Sequence, residues 1–303
     1  MVHTVSVTVF RMIRFHRACD QRHGPQEGIS LMKRIRHALA ISLLSAPTAV
    51  LAQDVDSLAL ALSNPTAATT ALANVFDFTT YKGSTPGADD QTSWTYLLQP
   101  PFPFQLANGS NILFRPAIPI IFDVPVATGG GFEGSGVKFG DIAYDLAYGR
   151  TTAGGTLLLG GLTGSFPTGG EGVSSDQVTL GPEVALGIIR RWGVVGFLAF
   201  QRWGVTGDKD VNTLGIQYFY AYGLGGGWQI SAAPIVTFNK DAEDGNKWAI
   251  PIGAGISKTS IAGTTPFKIA IQVWKYVEKP DAFGADWTIR FSIAPVITLP
   301  WGR

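Results

Sequence analysis

Residues 286–301 read DWTIRFSIAPVITLPW, and this stretch decides the fold class. Its large apolar side chains mostly occupy odd positions, whereas Arg290 and Ser292 occupy even positions. A period of two over a run this long predicts a β-strand with one apolar face. The same alternation returns in residues 228–239 and 247–257, so the pattern extends well beyond one strand.

Twelve candidate strands follow when the rest of the chain is examined for this period. Most run for 11–16 residues, which exceeds the length of about five or six usual in globular proteins. Such strands are long enough to cross a bilayer at a tilt. They lie near 70–81, 92–106, 110–122, 139–149, 155–167, 176–190, 192–206, 211–223, 227–239, 246–258, 265–277 and 286–301.

The connections between the predicted strands alternate in length. One set is short, as at 107–109 and 224–226, and the other is mostly longer and polar or glycine-rich, as at 82–91 and 123–138. Short turns on one side and long loops on the other are typical of a bacterial transmembrane barrel. The predicted fold class is therefore all-β: a 12-stranded antiparallel transmembrane β-barrel of up-and-down topology, with a short N-terminal periplasmic helical segment.

Transmembrane helices are the competing interpretation, because residues 211–239 and 94–114 carry no charge. Glycines and Pro234 interrupt the first run, and three prolines interrupt the second. These residues disfavour helices, and the alternation has a period of two, not 3.6. A closed barrel is the other structure that pairs every backbone polar group within lipid.

The first 52 residues differ from the rest of the chain. Residues 32–52 combine a basic start, an apolar stretch and a small-residue site ending at Ala52, which is typical of a secretory signal peptide. Residues 1–31 are either part of the leader or an upstream start that the cell does not use. The predicted organisation is a leader and signal peptide at 1–52, a periplasmic N-terminal segment at 53–66 and the barrel at 67–303. Export and a barrel together predict the outer membrane of a Gram-negative bacterium.

The composition of the predicted mature chain excludes several functions. In the full chain, the only Cys and all the His and Met residues fall before residue 53, so the predicted mature chain contains none of them. Disulfides, Cys/His metal sites and His-dependent nucleophiles are therefore excluded, and we expect neither an enzyme nor a cofactor. Removing the leader leaves 16 basic and 20 acidic residues, with no basic patch of the kind that nucleic acid requires.

Tryptophan lies at or near the ends of the predicted strands. Such a distribution predicts two aromatic girdles at the membrane–water boundaries. A soluble β-sandwich would instead tend to bury tryptophan in the middle of strands. The predicted girdle residues are Trp94, Trp192, Trp203, Trp228, Trp248, Trp274, Trp287 and Trp301.

Polar side chains on the face opposite the apolar one are predicted to point into the lumen, because a charge that faces lipid is costly. As a hypothesis they line a pore, and as an alternative they form internal ion pairs that brace the barrel. They are Arg115, Asp141, Asp145, Glu183, Gln217, Gln229, Gln272 and Arg290. Inward glycines such as Gly181, Gly187, Gly253 and Gly255 are expected to leave space in the lumen.

The segment at 55–64 has apolar residues at helical spacing, and Pro65 would end a helix there. Two interpretations stand equal for it. It is either a short periplasmic helix or a partial plug, or else it is a plain tether.

Short motifs in this order resemble an outer-membrane family associated with the MetA pathway of phenol degradation, whose members are often labelled transporters. The motifs are Asn64-Pro65, NILFRPAIPI at 111–120, GSGVKFGDI at 134–142, Phe166-Pro167-Thr168, Leu180-Gly181-Pro182 and WAIPIG at 248–253. The resemblance covers roughly 60–303 and implies a barrel that passes small hydrophobic or aromatic molecules. It implies no catalytic residues.

Two functions are therefore open. The first is a passive channel or transporter for small hydrophobic or aromatic solutes, with the solute, outer-membrane lipid and the barrel-assembly machinery as partners. The second is a closed, non-conducting barrel with a structural or surface-interaction role. A continuous lumen path would favour the channel, whereas neutralised ion pairs and large inward side chains would favour the closed barrel.

Overall fold

The structure is a computed structural model that describes residues 55–129, 131–207 and 211–299. The predicted signal peptide, its cleavage site after Ala52 and the predicted girdle residue Trp301 lie outside these residues. Within them, no helix is long and apolar enough to cross a membrane.

The described residues form twelve barrel strands, three of which are interrupted once. Prolines at 100, 101 and 234 lie in two of the breaks, because proline has no N–H to donate to a neighbouring strand. The strands are β1 Ala73–Lys82, β2 Thr92–Gln99 with Phe102–Gln105, β3 Asn111–Asp123, β4 Lys138–Phe139 with Ile142–Thr151, β5 Thr156–Phe166, β6 Thr179–Arg190, β7 Gly193–Gly204, β8 Asn212–Gly225, β9 Trp228–Ala232 with Ile235–Asn239, β10 Trp248–Ala262, β11 Thr265–Glu278 and β12 Gly284–Pro295.

Each strand pairs in antiparallel fashion with the next strand along the chain, and β12 pairs with β1. The sheet therefore closes on itself, which removes the free edges that an open sheet would leave. This confirms the predicted closed barrel of twelve antiparallel strands. The last strand ends earlier than predicted, at Pro295, and Val296 continues it only as an isolated bridge to Ala71.

The two faces of each strand differ as the alternation predicts. On β6, Leu180, Val184 and Leu186 are exposed on the outside, whereas Glu183 and Ala185 between them are buried inside. Large apolar side chains are exposed in the same way around the barrel. The outer surface is therefore an apolar belt of the kind that lipid covers.

Six of the seven described tryptophans are exposed near strand ends, and a position of these six in two girdles stays a prediction. Trp274 is the exception and corrects the prediction, because it is 5% exposed and lines a cavity inside the barrel. The alternation of inward and outward residues along β11 explains its position. Trp274 has the same parity on β11 as Gln272, so both residues lie on the inner face.

An apolar core fills part of the lumen near the short turns. It is formed by inward side chains close to the turn-side ends of β3 to β7, and Phe200 and Phe219 pack against it. Its members are Leu113, Ala147, Leu157, Leu159, Ala185 and Leu198. The barrel is thus packed from within over this region, much as an ordinary protein interior is.

The opposite end carries the long loops. The loop between β3 and β4 contains a small hairpin of Pro125–Thr128 and Gly131–Gly134. Its Phe132 ring lies 4.4 Å from the Phe283 ring, which stacks on Tyr81 with centroids 4.6 Å apart. These aromatic contacts join three loop-end segments above the lumen.

Candidate functional site

The lumen contains an ion pair that joins the first and last strands. Asp77 on β1 stands opposite Arg290 on β12 in the strand register. The guanidinium donates to both carboxylate oxygens, from Nε at 2.8 Å and from Nη2 at 2.6 Å. Its Cζ also lies 4.3 Å from the centroid of the Trp274 ring. This two-point geometry is the stronger form of an ion pair and holds Arg290 against the barrel wall.

A second ion pair joins β3 and β4. Arg115 and Asp145 are register partners, and their closest charged atoms are 3.4 Å apart. Arg115, Asp145 and Arg290 were predicted to point inward, and the structure brings each against an opposite charge. This is the arrangement that the ion-pair interpretation describes.

Glu183 and Arg202 lie on the neighbouring strands β6 and β7. Glu183 is 1% exposed and faces Asp145 and the guanidinium groups of Arg115 and Arg202. Arg202 donates from Nε and Nη2 to Thr163 Oγ1, at 3.2 and 2.6 Å. No carboxylate of the described residues lies within ion-pairing distance of Arg202. Asp145 and Glu183 act on the charge of Arg202 only at longer range, and its direct contacts within the described residues include no carboxylate.

Three aromatic rings lie close to inward glycines of neighbouring strands. A Cβ atom added to Gly253 would lie 2.2 Å from the Trp274 ring, and one added to Gly215 would lie 2.1 Å from the Phe200 ring. A Cβ atom added to Gly196 would lie 2.6 Å from Cζ of Phe219 and 2.5 Å from Leu186 O. Glycine is needed at these positions because any side chain would displace a ring.

This packing corrects the expectation that inward glycines leave open space. Trp274 occupies the space beside Gly253, and Gln272 approaches Gly255 within 2.7 Å of an added Cβ. Gly181 lies against the β7 backbone, where an added Cβ would meet Gln201 O. Sequence alone does not reveal this, because the covering ring comes from another strand.

Three cavities lie along the lumen, lined by residues of the described part. The upper cavity, toward the long loops, has a volume of about 680 Å³. The middle cavity has about 330 Å³, and the lower cavity, toward the short turns, has about 210 Å³. The upper and middle cavities share Phe200, Arg202 and Ile235 in their walls.

The upper cavity combines hydroxyl groups with aromatic surfaces. Its aromatic side chains are Phe200, Trp274, Tyr81 and Tyr276. Its hydroxyl side chains, apart from tyrosine, are Thr79, Ser93, Thr95, Ser165, Thr179, Thr213, Thr237 and Thr288. Such a wall can contact a small apolar ring and orient its polar groups by hydrogen bonds.

The three predicted glutamines lie inside the barrel and bind protein groups. Gln217 lines the middle cavity and donates to Ala233 O at 3.1 Å. Gln272 lines the lower cavity and accepts from Trp274 Nε1 at 3.1 Å. Gln229 is 2% exposed and accepts from Ser63 Oγ at 3.0 Å.

Asp141 lies at the loop end, between the two segments of β4, and is not among the residues that line the three cavities. Its carboxylate accepts hydrogen bonds at 2.7–2.9 Å from Gly169 N, Ser174 Oγ, and both the N and Oγ of Ser175. Partial burial on its own would raise the pKa of Asp141, but these hydrogen bonds outweigh it and lower the pKa below its ordinary value. Asp141 therefore anchors the loop between β5 and β6.

A helix of residues 55–61 begins the described chain at the short-turn end. Asp56 accepts hydrogen bonds from Gly226 N and Gly227 N in the turn between β8 and β9. Both glycines have positive φ, so the turn points its N–H groups at this carboxylate. The contact fixes the start of the helix beneath β8 and β9.

The chain then crosses to the opposite side of the barrel. Ser63 Oγ accepts from Lys268 Nζ on β11 at 2.8 Å, and Asn64 Nδ2 donates to Thr151 Oγ1 on β4 at 3.2 Å. Thr66 O accepts from Asn111 Nδ2 on β3 at 2.8 Å. Since β3 and β4 lie about half the circumference from β9, residues 55–66 span the mouth as a plug segment.

Sequence reasoning missed Asp77 and Arg202. Both lie on inward positions of their strands, so parity alone could have identified them. Their partners could not have been found in this way, because the Asp77–Arg290 contact depends on the closure of the barrel.

Comparisons with known proteins bear on the fold. No protein-family model and no curated protein matches the chain. The structure is similar to the COG4313 outer membrane channel from Pseudomonas putida F1, with a TM-score of 0.59 and 11% identity over 76% of this chain and 96% of that chain. It also matches a NanC porin with a TM-score of 0.47 and 11% identity, over 75% of this chain and 100% of that chain, a likeness too weak to support an argument. The first likeness supports the barrel fold alone.

Proposed function

We propose that this protein is an outer-membrane channel that passes small hydrophobic or aromatic solutes passively. The apolar outer belt and the exposed tryptophans near both rims support a position in the membrane. In that position outer-membrane lipid covers the belt and the barrel-assembly machinery inserts the chain. The leader at residues 1–52 is the expected export signal.

The observation that carries the proposal is the series of cavities in the lumen. The upper and middle cavities share a wall at Phe200, Arg202 and Ile235, so a side-chain movement there joins them. Gln217 in the middle cavity binds Ala233, which lines the lower cavity. The three cavities thus follow one another through the lumen, and Ser63 of the plug segment lines the lowest of them.

The solute class is part of the proposal. The upper cavity has a volume of about 680 Å³, which lies within the usual range of small-molecule sites. Its mixed aromatic and hydroxyl wall suits a small ring better than a fully hydrated sugar. Kinship with the family of the MetA pathway of phenol degradation is likewise proposed. It is supported by the similar Pseudomonas putida channel, which is of this type.

The alternative function is a closed, structural barrel, and one observation favours it. The plug segment crosses the short-turn mouth, and the apolar core fills part of the lumen above it. The two functions differ in what happens when the plug segment is absent. Without the plug segment, a channel should pass more solute, whereas a barrel that is packed throughout should still pass none.

The test compares refolded protein that begins at residue 53 with protein that begins at residue 67. Both are placed in liposomes and planar bilayers, and ion current and uptake of small phenols, sugars and amino acids are measured. We expect a small protein-dependent flux for the longer form and a several-fold larger one for the shorter form. Heat-sensitive gel mobility confirms that both forms are folded. Absence of current and uptake in both folded forms would contradict the channel and support the structural barrel.

A further inference from the structure

Arg202 differs from the two other lumen arginines that line these cavities in the described part of the chain. Arg290 binds both oxygens of Asp77, and Arg115 pairs with Asp145. Arg202 instead directs two of its five N–H donors to one neutral oxygen, that of Thr163. An arginine that only braced the barrel would be expected to have a carboxylate partner, as the other two have.

Arg202 lies on the proposed solute route through the lumen. It lines both the upper and the middle cavity, together with Phe200 and Ile235. The carboxyl of Glu183 lies nearby but is buried in the wall and lines neither cavity. The upper cavity is lined by the Asp77–Arg290 ion pair and by Arg202. The middle cavity is lined by the Arg115–Asp145 ion pair and by Arg202, which has no ion-pair partner among the described residues.

The surroundings of Arg202 indicate what it would bind. A guanidinium presents its donors in a planar fork that matches the two oxygens of a carboxylate. Phe200 lies beneath it, with the ring centroid 4.8 Å from Cζ, and Trp274 and Tyr276 are in the wall of the upper cavity that Arg202 also lines. A planar solute with an apolar ring and a carboxylate would meet both kinds of surface at once.

We propose that Arg202 is a binding site for the carboxylate of small aromatic acids, placed where the upper and middle cavities meet. This deepens the proposed function, on which it rests, by naming an anionic head group on the aromatic solute. The lumen then favours aromatic acids over neutral aromatic molecules of the same size.

Equilibrium binding tests the site without requiring conduction. Binding of benzoate and of its neutral analogue benzamide to the folded protein in micelles is measured by calorimetry or ligand-observed NMR. We expect benzoate to bind more tightly than benzamide and Arg202→Gln to weaken benzoate by at least about tenfold, since a charge-assisted bidentate contact is lost. Arg202→Lys keeps the charge but not the fork, so it restores part of the affinity.

The matched control is Arg150→Gln, which removes the same charge from an exposed position on the outer face of β4. It should bind benzoate as the wild-type protein does. Equal binding of benzoate and benzamide, or equal loss in Arg150→Gln and Arg202→Gln, would overturn the site. If Arg202→Gln fails to show heat-sensitive gel mobility, the comparison of Arg202→Lys with wild type decides instead.

Conduction separates this inference from the proposed function. In a gradient of potassium benzoate, the sign of the reversal potential tells whether benzoate or potassium carries the current. We expect benzoate to carry most of the current in the wild-type protein. The Arg202→Gln variant should lose this preference for benzoate over potassium. Current without benzoate preference would overturn the inference and leave the channel intact. Benzoate binding without current would support the site and contradict the channel.

Discussion

The half of the lumen beside the short turns and the half beneath the long loops are built differently. The short-turn half contains the apolar core and the lower cavity of about 210 Å³, and the plug segment crosses it. The loop half surrounds a cavity of about 680 Å³ lined by hydroxyl and aromatic groups. The same alternation of inward and outward residues thus produces a structural interior at one end and a solute-sized space at the other. We expect substitutions in the first half to alter stability and those in the second to alter passage.

The largest effect is expected for Leu157→Ala in the short-turn half. Leu157 is 0% exposed in the apolar core, so its loss leaves a cavity and should lower the free energy of unfolding by about 2–5 kcal/mol. The measurement is reversible denaturant unfolding of the barrel in vesicles. Leu158→Ala is the matched control, because the adjacent side chain is 39% exposed on the outer face and should cost clearly less. Equal losses would mean that this half is not packed as described.

A smaller effect is expected for Gly253→Val, which tests how the Trp274 ring is held in the loop half. The new side chain would collide with that ring, so overpacking should cost about 1–3 kcal/mol. Displacement of the ring should also change the near-ultraviolet circular dichroism. Gly160→Ala is the control, since an added Cβ there meets nothing within 4 Å. An unchanged spectrum in Gly253→Val would show that Trp274 does not depend on this contact.

Asp141→Asn should loosen the loop between β5 and β6 while leaving the barrel folded. The substitution weakens charge-assisted hydrogen bonds to Gly169, Ser174 and Ser175, at an expected cost of about 1–2 kcal/mol confined to the loop. Limited proteolysis should then cut the loop faster. Glu171→Gln, an exposed residue of the same loop, is the control and should be cut at the wild-type rate.

The pH dependence of this loop follows from the same carboxylate. Because the folded pKa of Asp141 is lowered, its contribution is present above the ordinary value of 3.8 and is lost as the pH falls through the folded pKa. Below the folded pKa of Asp141, an acid-active protease should therefore cleave the wild-type loop at a rate that rises toward the rate for Asp141→Asn. A constant difference between the two proteins down to pH 2 would contradict this.

The smallest stability effect is expected for Thr237→Val in the wall of the upper cavity. Val has nearly the same shape, and the side chain faces the cavity, so the free energy of unfolding should change by less than about 0.5 kcal/mol. Solute flux, measured in the same liposomes as above, should change more than stability does. A large loss of stability would break the distinction between the two halves of the lumen.

Most of the architecture was predictable because it depends on local pattern. The period of two identified all twelve strands and the outward face of each, and the structure differs mainly at strand ends and at the proline breaks. Trp274 was misassigned although its parity with Gln272 was visible, because its position near a strand end suggested the girdle. Asp141 shares its parity with Asp145, but it lies beyond the continuous part of β4 and binds a loop instead.

The sequence by itself determined that this chain forms a closed barrel with an apolar exterior and inward-facing polar side chains. These features follow from alternation, strand length and the need to pair the backbone. Only the tertiary structure decided that Arg290 meets Asp77, that Arg202 meets no carboxylate among the described residues, and that residues 55–66 cross the mouth. The reason is physical, because such contacts join residues far apart in sequence. They depend on the register and closure of all twelve strands, which no local pattern contains.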